Sequence, residues 1–199
     1  MTTASDSRPE HRDPRVERTR AAVIEAATQL MNADGPSAVT HVNVAATANV
    51  SRTTVYKHYP TRVDLLRSAI EAMGKTAPDL SDLTGDLRQN LGLFFAGLVA
   101  DLCDDQRAPM VATMLEQALH DSTFAAVRDQ LVGDLELPFH HLIDTAISRG
   151  ELRADVDARL AMASIAGSFL FLRYMAPSGF DAQTADRVLD EFVTANGPR

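Results

Sequence analysis

Apolar residues recur at helical spacing along almost the whole chain, and nowhere do Val, Ile and Tyr alternate with polar positions as a half-buried strand requires. The pattern predicts an all-α protein of about nine helices. Val23, Ala26, Ala27, Leu30 and Met31 form the first apolar stripe, on a helix expected over 15–33 and stopped by Gly35 and Pro36. Two short helices follow, near 42–48 and 52–58, joined by Asn49, Val50 and Ser51. Thr40 and Ser51 stand where a side-chain oxygen caps the orphan amides of each. Asn49 stands where the chain must turn sharply, and Asn tolerates the left-handed conformation. Val42, Ala45 and Val50 are the expected inward face of this pair. Helices so short are marginal alone, so they must lean on the first helix and on a fourth. That one starts after Pro60, with Thr61 as cap, Asp64 three residues on, and Leu66, Ala69, Ile70 and Met73 inward.

The apolar pattern breaks over 74–82, the expected domain boundary. Beyond it, Leu87, Leu91, Phe94, Phe95, Leu98, Val99 and Leu102 mark a long helix, and Val111, Met114, Leu115 and Ala118 a shorter one. A third stripe runs over 122–148, with a kink expected at Pro138, which has no amide for the Asp134 carbonyl. Gly150 ends it. From Ala161 to Leu172 nearly every position is apolar or small, so the helix over 157–175 is expected to be buried on more than one side. After a turn at 177–179, the last helix carries Ala185, Val188, Leu189, Phe192 and Val193.

Composition narrows the class. With 199 residues, 45% apolar, 23% charged, 10 Gly and 9 Pro, the chain is an ordinary globular one. Its longest apolar stretch, 93–100, falls well short of the roughly 18 residues that span a bilayer. The first 14 residues form a polar tail without an apolar signal core, and one cysteine, Cys103, makes no internal disulfide, so a reduced cytoplasmic setting is expected. Cys103 itself is expected as a small core residue.

The net charge of −8 argues against indiscriminate affinity for nucleic acid, yet it is unevenly spread. Residues 1–75 hold ten Lys/Arg against eight Asp/Glu, and residues 76–199 hold nine against nineteen. Between Asp34 and Asp64 there is no carboxylate, while His41, Arg52, Lys57, His58 and Arg62 all fall there. Such a window faces phosphate even on an acidic chain. Two short helices with a tight turn, following a longer helix, describe a helix-turn-helix whose second helix enters the major groove. Arg52, Thr53 and Thr54 occupy its first turn and Lys57 the next, while Tyr56, His58 and Arg62 flank it with donors for phosphate oxygens. Arg grips a guanine edge, and Thr offers a hydroxyl and a methyl.

The stretch from Arg20 to Leu66 resembles the N-terminal domain of the tetracycline-repressor (TetR) family of transcription regulators. The resemblance rests on AAxxL at 26–30, Gly35, Thr40, VAxxAxVS at 44–51, TVYKHY at 54–59 and TRVDLL at 61–66. It implies phosphate contacts from Thr40, Tyr56, His58 and Arg62, and base contacts from Arg52, Thr53, Thr54 and Lys57, assisted by Asn43. Arg8, Arg12, Arg15, Arg18 and Arg20 either extend the phosphate contacts or belong to a solvated tail and helix face. The implied organisation is a tail at 1–14, a helix-turn-helix domain at 15–74 and a ligand-binding and dimerisation domain at 75–199.

In this family the last two helices pair with their copies across a two-fold axis. Here Ala163 and Gly167 permit close approach and Phe171, Leu189 and Phe192 offer apolar area, unless the helix is simply the core of a monomer. Dimerisation implies recognition helices about 34–36 Å apart, or a multiple, and a palindromic operator. A small-molecule effector pocket is implied between the remaining helices, with Phe94, Phe95, Leu98, Met110, Met114, Phe124, Phe139, Phe169 and Tyr174 as candidate lining. Such stripes equally describe a packed core. His140 and His141 with Asp144, or Glu136 with His140, have spacings that arise by chance on a solvated face, and no metal or cofactor is expected. The reading is a homodimeric, ligand-responsive DNA-binding regulator, most simply a repressor. Its rivals are a helical interaction module without DNA binding and a small helical enzyme, for which the sequence offers no catalytic motif.

Overall fold

The computed structural model describes residues 14–73, 85–176 and 179–198. The expected tail with Arg8 and Arg12, the boundary at 74–82 and the start of the turn at 177–179 lie outside them. Among the described residues there is no strand. The helices are α1 (Pro14–Asp34), α2 (His41–Thr47), α3 (Arg52–His58), α4 (Arg62–Met73), α5 (Leu87–Cys103), α6 (Arg107–Gln117), α7 (Ser122–Ser148), α8 (Ala158–Tyr174) and α9 (Ala182–Asn196), with a short 3₁₀ turn at Pro36–Ala38.

Local chemistry sets most of the helix starts. Thr40 accepts from the Asn43 amide and Ser51 from that of Thr54, so each short helix begins on its own cap. At α4 the capping is reciprocal. Asp64 accepts from the Thr61 amide at 2.9 Å, and the Thr61 hydroxyl accepts from the Asp64 amide at 3.1 Å. Asp86, Asp121, Asp157 and Asp181 cap α5, α7, α8 and α9, accepting from the amides of Gln89, Thr123, Leu160 and Thr184. Each such cap is worth about 1 kcal/mol, and its charge opposes the positive end of the helix. Part of the acidic excess of the C-terminal half therefore has a structural use.

Two hydrophobic cores form. In the head, Val23, Ala26, Ala27 and Met31 of α1 pack with Val44, Ala45, Val55, Tyr59, Leu65, Leu66 and Ala69. In the body, the rings of Phe94, Phe95, Phe139, Phe169 and Phe180 interlock, with centroids 4.9 to 5.8 Å apart in tilted and edge-on geometries. The cores meet within a single helix. The first half of α7 gives Phe124 and Val127 to the head core, and the second half gives Phe139, Leu142, Ile143 and Ala146 to the body core. Pro138 lies between these halves, and α7 runs through it as one helix.

Expectations about burial are corrected on α2 and α8. Val42 is exposed, because α2 begins one residue earlier than expected and turns His41 inward instead. On α8, Leu160 and Phe171 are 68% and 59% exposed, and Ala163, Ser164 and Gly167 are exposed on the same stripe. This helix is thus covered on one side only within the chain.

Candidate DNA-binding site

The turn between α2 and α3 closes as its residues require. Asn49 adopts φ 52°, and among the described residues no other non-glycine has a positive φ. The Val50 amide then reaches back to the Ala45 carbonyl at 3.0 Å. Ser51 caps α3, and its hydroxyl meets that of Thr54 at 2.7 Å. Val55 is the buried residue of α3, fully withdrawn among Val44, Tyr59 and the α1 side chains.

Anchoring α3 by Val55 turns the opposite side outward. Arg52, Thr53, Tyr56 and Lys57 are exposed, and Thr54 and His58 are half-buried on the flank. Thr53 and Lys57 are four residues apart and share one face, with Arg52 and Tyr56 beside them. This side therefore offers two cations, hydroxyls and an aromatic ring within two helical turns, in a segment without carboxylates. Thr40 is half-buried and committed to capping α2, and exposed Asn43 donates its side-chain amide to the Ala38 carbonyl at 2.9 Å. Both shape the entry to α2 as well as standing near the site.

One contributor went unassigned in the sequence. His41 is buried, its Nε2 donates to the Tyr59 carbonyl at 2.7 Å, and its ring stacks on Tyr56 with centroids 4.0 Å apart and planes 7° apart. The imidazole joins α2 to the end of α3 and props the half-exposed Tyr56 ring. The available signal was its place at the first position of α2, immediately after the cap.

Arg62, expected at a phosphate, is engaged within the chain. Its guanidinium is turned inward, to the Val39 and Ser37 carbonyls, Asp121 and the Phe124 ring.

The same assembly is found in known proteins. The family model of tetR-family bacterial regulatory proteins matches residues 23–69, and that of the tetracyclin-repressor-like C-terminal domain matches 78–192. The chain belongs to the TetR family. It is 27% identical over 180 residues to the DNA-binding transcriptional repressor TetR of Mycobacteroides abscessus, covering 90% of this chain and 94% of that one. Over 66 residues it is 46% identical to the HTH-type transcriptional repressor LfrR of Mycolicibacterium smegmatis, about a third of each chain, 33% and 32%. In fold it resembles the fatty acid degradation regulator FadR from Bacillus halodurans, with a TM-score of 0.68 and 20% identity, covering 87% of this chain and 97% of that one. This TetR-family protein is accordingly a DNA-binding transcription regulator and not an enzyme.

The residues expected to line an effector pocket are dispersed. Phe94, Phe95, Phe139 and Phe169 fill the body core against one another, and Phe124 belongs to the head core. Leu98 is half-buried on the body core, and the Tyr174 hydroxyl donates to the Ala108 carbonyl at 2.7 Å. Met110 and Met114 line a crevice of about 50 Å³ shared with Ile70 and Met73 of α4. A cleft of about 450 Å³ has a different lining, with Leu87, Asn90, Leu137, Pro138, His141 and Arg149 among its walls. Apolar stripes in the sequence report burial, and burial against neighbours leaves no room for a ligand.

The expected dimer residues also divide. Ala163, Gly167 and Phe171 face outward, Phe192 is half-buried, and Leu189 is buried in the chain's own core. The exposed residues border a shallow groove with Ser164, Val188 and Glu191. Cys103 is exposed at the end of α5 and not a core residue. Its thiol is pushed up, chiefly by partial burial and then by the Asp181 charge. His140, His141, Asp144 and Glu136 are exposed, and no metal-holding group of three forms among the described residues.

Proposed function

We propose that this protein is a cytoplasmic, homodimeric transcriptional repressor that binds a palindromic operator through α3 and is released by a small apolar or aromatic effector. The observation that carries the reading is the outward face of α3, where Arg52, Thr53, Tyr56 and Lys57 stand exposed in a carboxylate-free window of a chain with net charge −8. Arg52, Thr53 and Lys57 read base edges with Thr54 at their flank, and Tyr56 and His58 meet phosphate oxygens beside Thr40 and Asn43. Repression is favoured by the two relatives, both of which are repressors.

Dimerisation is supported by the outward stripe of α8. A row of Leu160, Ala163, Gly167 and Phe171 along one helix presents a large apolar area with small residues that admit a second helix closely. The effector enters the body, where the α5–α7 cleft combines apolar walls with the polar groups of Asn90, His141 and Arg149. Release is a population shift toward a dimer whose heads no longer match the half-site spacing. An effector that binds both conformations equally shifts nothing.

Selection of bound sequences from a random duplex library, followed by a salt titration on the winner, tests the reading. A palindrome with half-sites about one helical turn or a multiple apart is expected, with affinity falling steeply as salt rises. Folded, dimeric protein that enriches no sequence at low salt would instead favour an interaction module.

A further inference from the structure

Arg62 makes a set of contacts that a phosphate-binding residue does not need. Its Nε donates to the Val39 carbonyl at 2.9 Å and its Nη2 to the Ser37 carbonyl at 3.0 Å, both in the segment that leads into α2. Nη1 lies 3.7 Å from Asp121 Oδ2, and the guanidinium carbon sits 5.2 Å from the centre of the Phe124 ring. Asp121 caps α7, and Phe124, in the first turn of α7, is fully buried in the head core. Only 26% of the Arg62 side chain remains exposed. A guanidinium has planar donors for two carbonyls and a carboxylate together with a face for an aromatic ring, a combination that lysine lacks.

We propose that Arg62 is a positioning residue for operator binding, a latch that ties the segment leading into α2 and α3 to the start of α7, rather than a contact to a DNA phosphate.

The surroundings fit a latch. Asp121 is held below the usual carboxylate range, chiefly by the Thr123 amide, with the Arg62 charge adding to it. Further along the same interface, Arg67 of α4 pairs with Asp134 of α7. α7 in turn packs on α8, whose outward stripe is the proposed dimer face. A continuous run of contacts therefore leads from that face through α7 and Arg62 to the helix-turn-helix. The inference rests on the dimeric-operator reading, because a latch of this kind matters most when two heads must engage two half-sites at a set distance. Freeing the heads lowers the effective concentration of the second head at its half-site and leaves the first contact intact.

The test measures binding of the full chain to two duplexes, one with the selected palindrome and one with a single half-site, across a salt series. Arg62→Ala is expected to lose about tenfold on the palindrome and less than about twofold on the half-site, with the salt slope unchanged. Asp121→Asn retains a capping oxygen for α7 and is expected to lose less, in the same direction. The double variant is expected to lose no more than Arg62→Ala alone. A loss on the half-site that is squared on the palindrome, with the salt slope reduced by about 0.9 for each engaged head, would return Arg62 to a phosphate and overturn the latch. Unchanged binding to both duplexes would also overturn it. If Arg62→Ala does not fold, Arg62→Lys and Asp121→Asn carry the same comparison, since lysine keeps a charge for phosphate but not the fork. Wild-type protein that binds both duplexes equally would refute the dimeric-operator reading itself, a result visible before any variant is made.

Discussion

The head and the body of this protein bury their apolar residues in different ways. The head packs mainly aliphatic side chains around α1, and Val55 is the buried residue of α3, so the opposite side of that helix is left facing outward. The body is built on five interlocking phenylalanines, contributed by α5, α7, α8 and the segment before α9. A helix held by one buried valine has most of its surface free for a partner, whereas a helix rich in buried aromatics has spent its surface on the fold. The two halves therefore reveal function unequally. Exposed polar residues on a short helix have little structural use to compete with a binding role, while buried aromatics have an obvious one.

The sharpest way to break this comparison lies in the body. Phe169 is fully buried, with ring contacts to Phe95 and Phe180, so Phe169→Ala is expected to cost about 3–5 kcal/mol in chemical unfolding. A small loss of stability with altered effector response would make Phe169 a pocket residue after all. Next in size, Phe171→Glu on the outward stripe of α8 is expected to weaken dimerisation by about 2 kcal/mol or more, seen in sedimentation, and to leave dilute-protein stability nearly unchanged. A dimer as strong as the wild type would place the interface elsewhere.

In the head, Arg52→Ala is expected to relax discrimination at one base position per half-site by about 1–2 kcal/mol, with stability altered by less than about 0.5 kcal/mol. Loss of affinity spread evenly over all sequences would reassign Arg52 to a phosphate. The smallest expected effect is that of Ser51→Ala, about 1 kcal/mol, from loss of the α3 cap. It sharpens the comparison because a helix with one buried residue has little else to hold it, so operator affinity should fall along with head stability.

The helices were legible in the sequence wherever their ends carry their own chemistry. α3 and α7 begin and end where the caps and breakers place them, and Asn49 takes the expected left-handed turn. Caps and turns are local, and three or four residues suffice to specify them. The outward residues of α3 were named from the helix-turn-helix spacing and the resemblance, whereas Val55 as the residue that fixes the free side came only with the structure. His41 and Arg62 were not. A histidine or arginine in a basic window reads as solvated or bound to phosphate, and its partners here lie as far as 62 residues away in sequence, at Phe124.

By itself the sequence determined the helical class and the helix-turn-helix, because periodicity, capping and steric limits on the backbone act over a few residues. Only the tertiary structure decided that α7 serves both cores, that the candidate pocket aromatics pack against one another, and that Arg62 turns inward. Those outcomes depend on which surfaces meet across the chain. Packing at near-crystalline density gives a side chain its neighbours and its free space together.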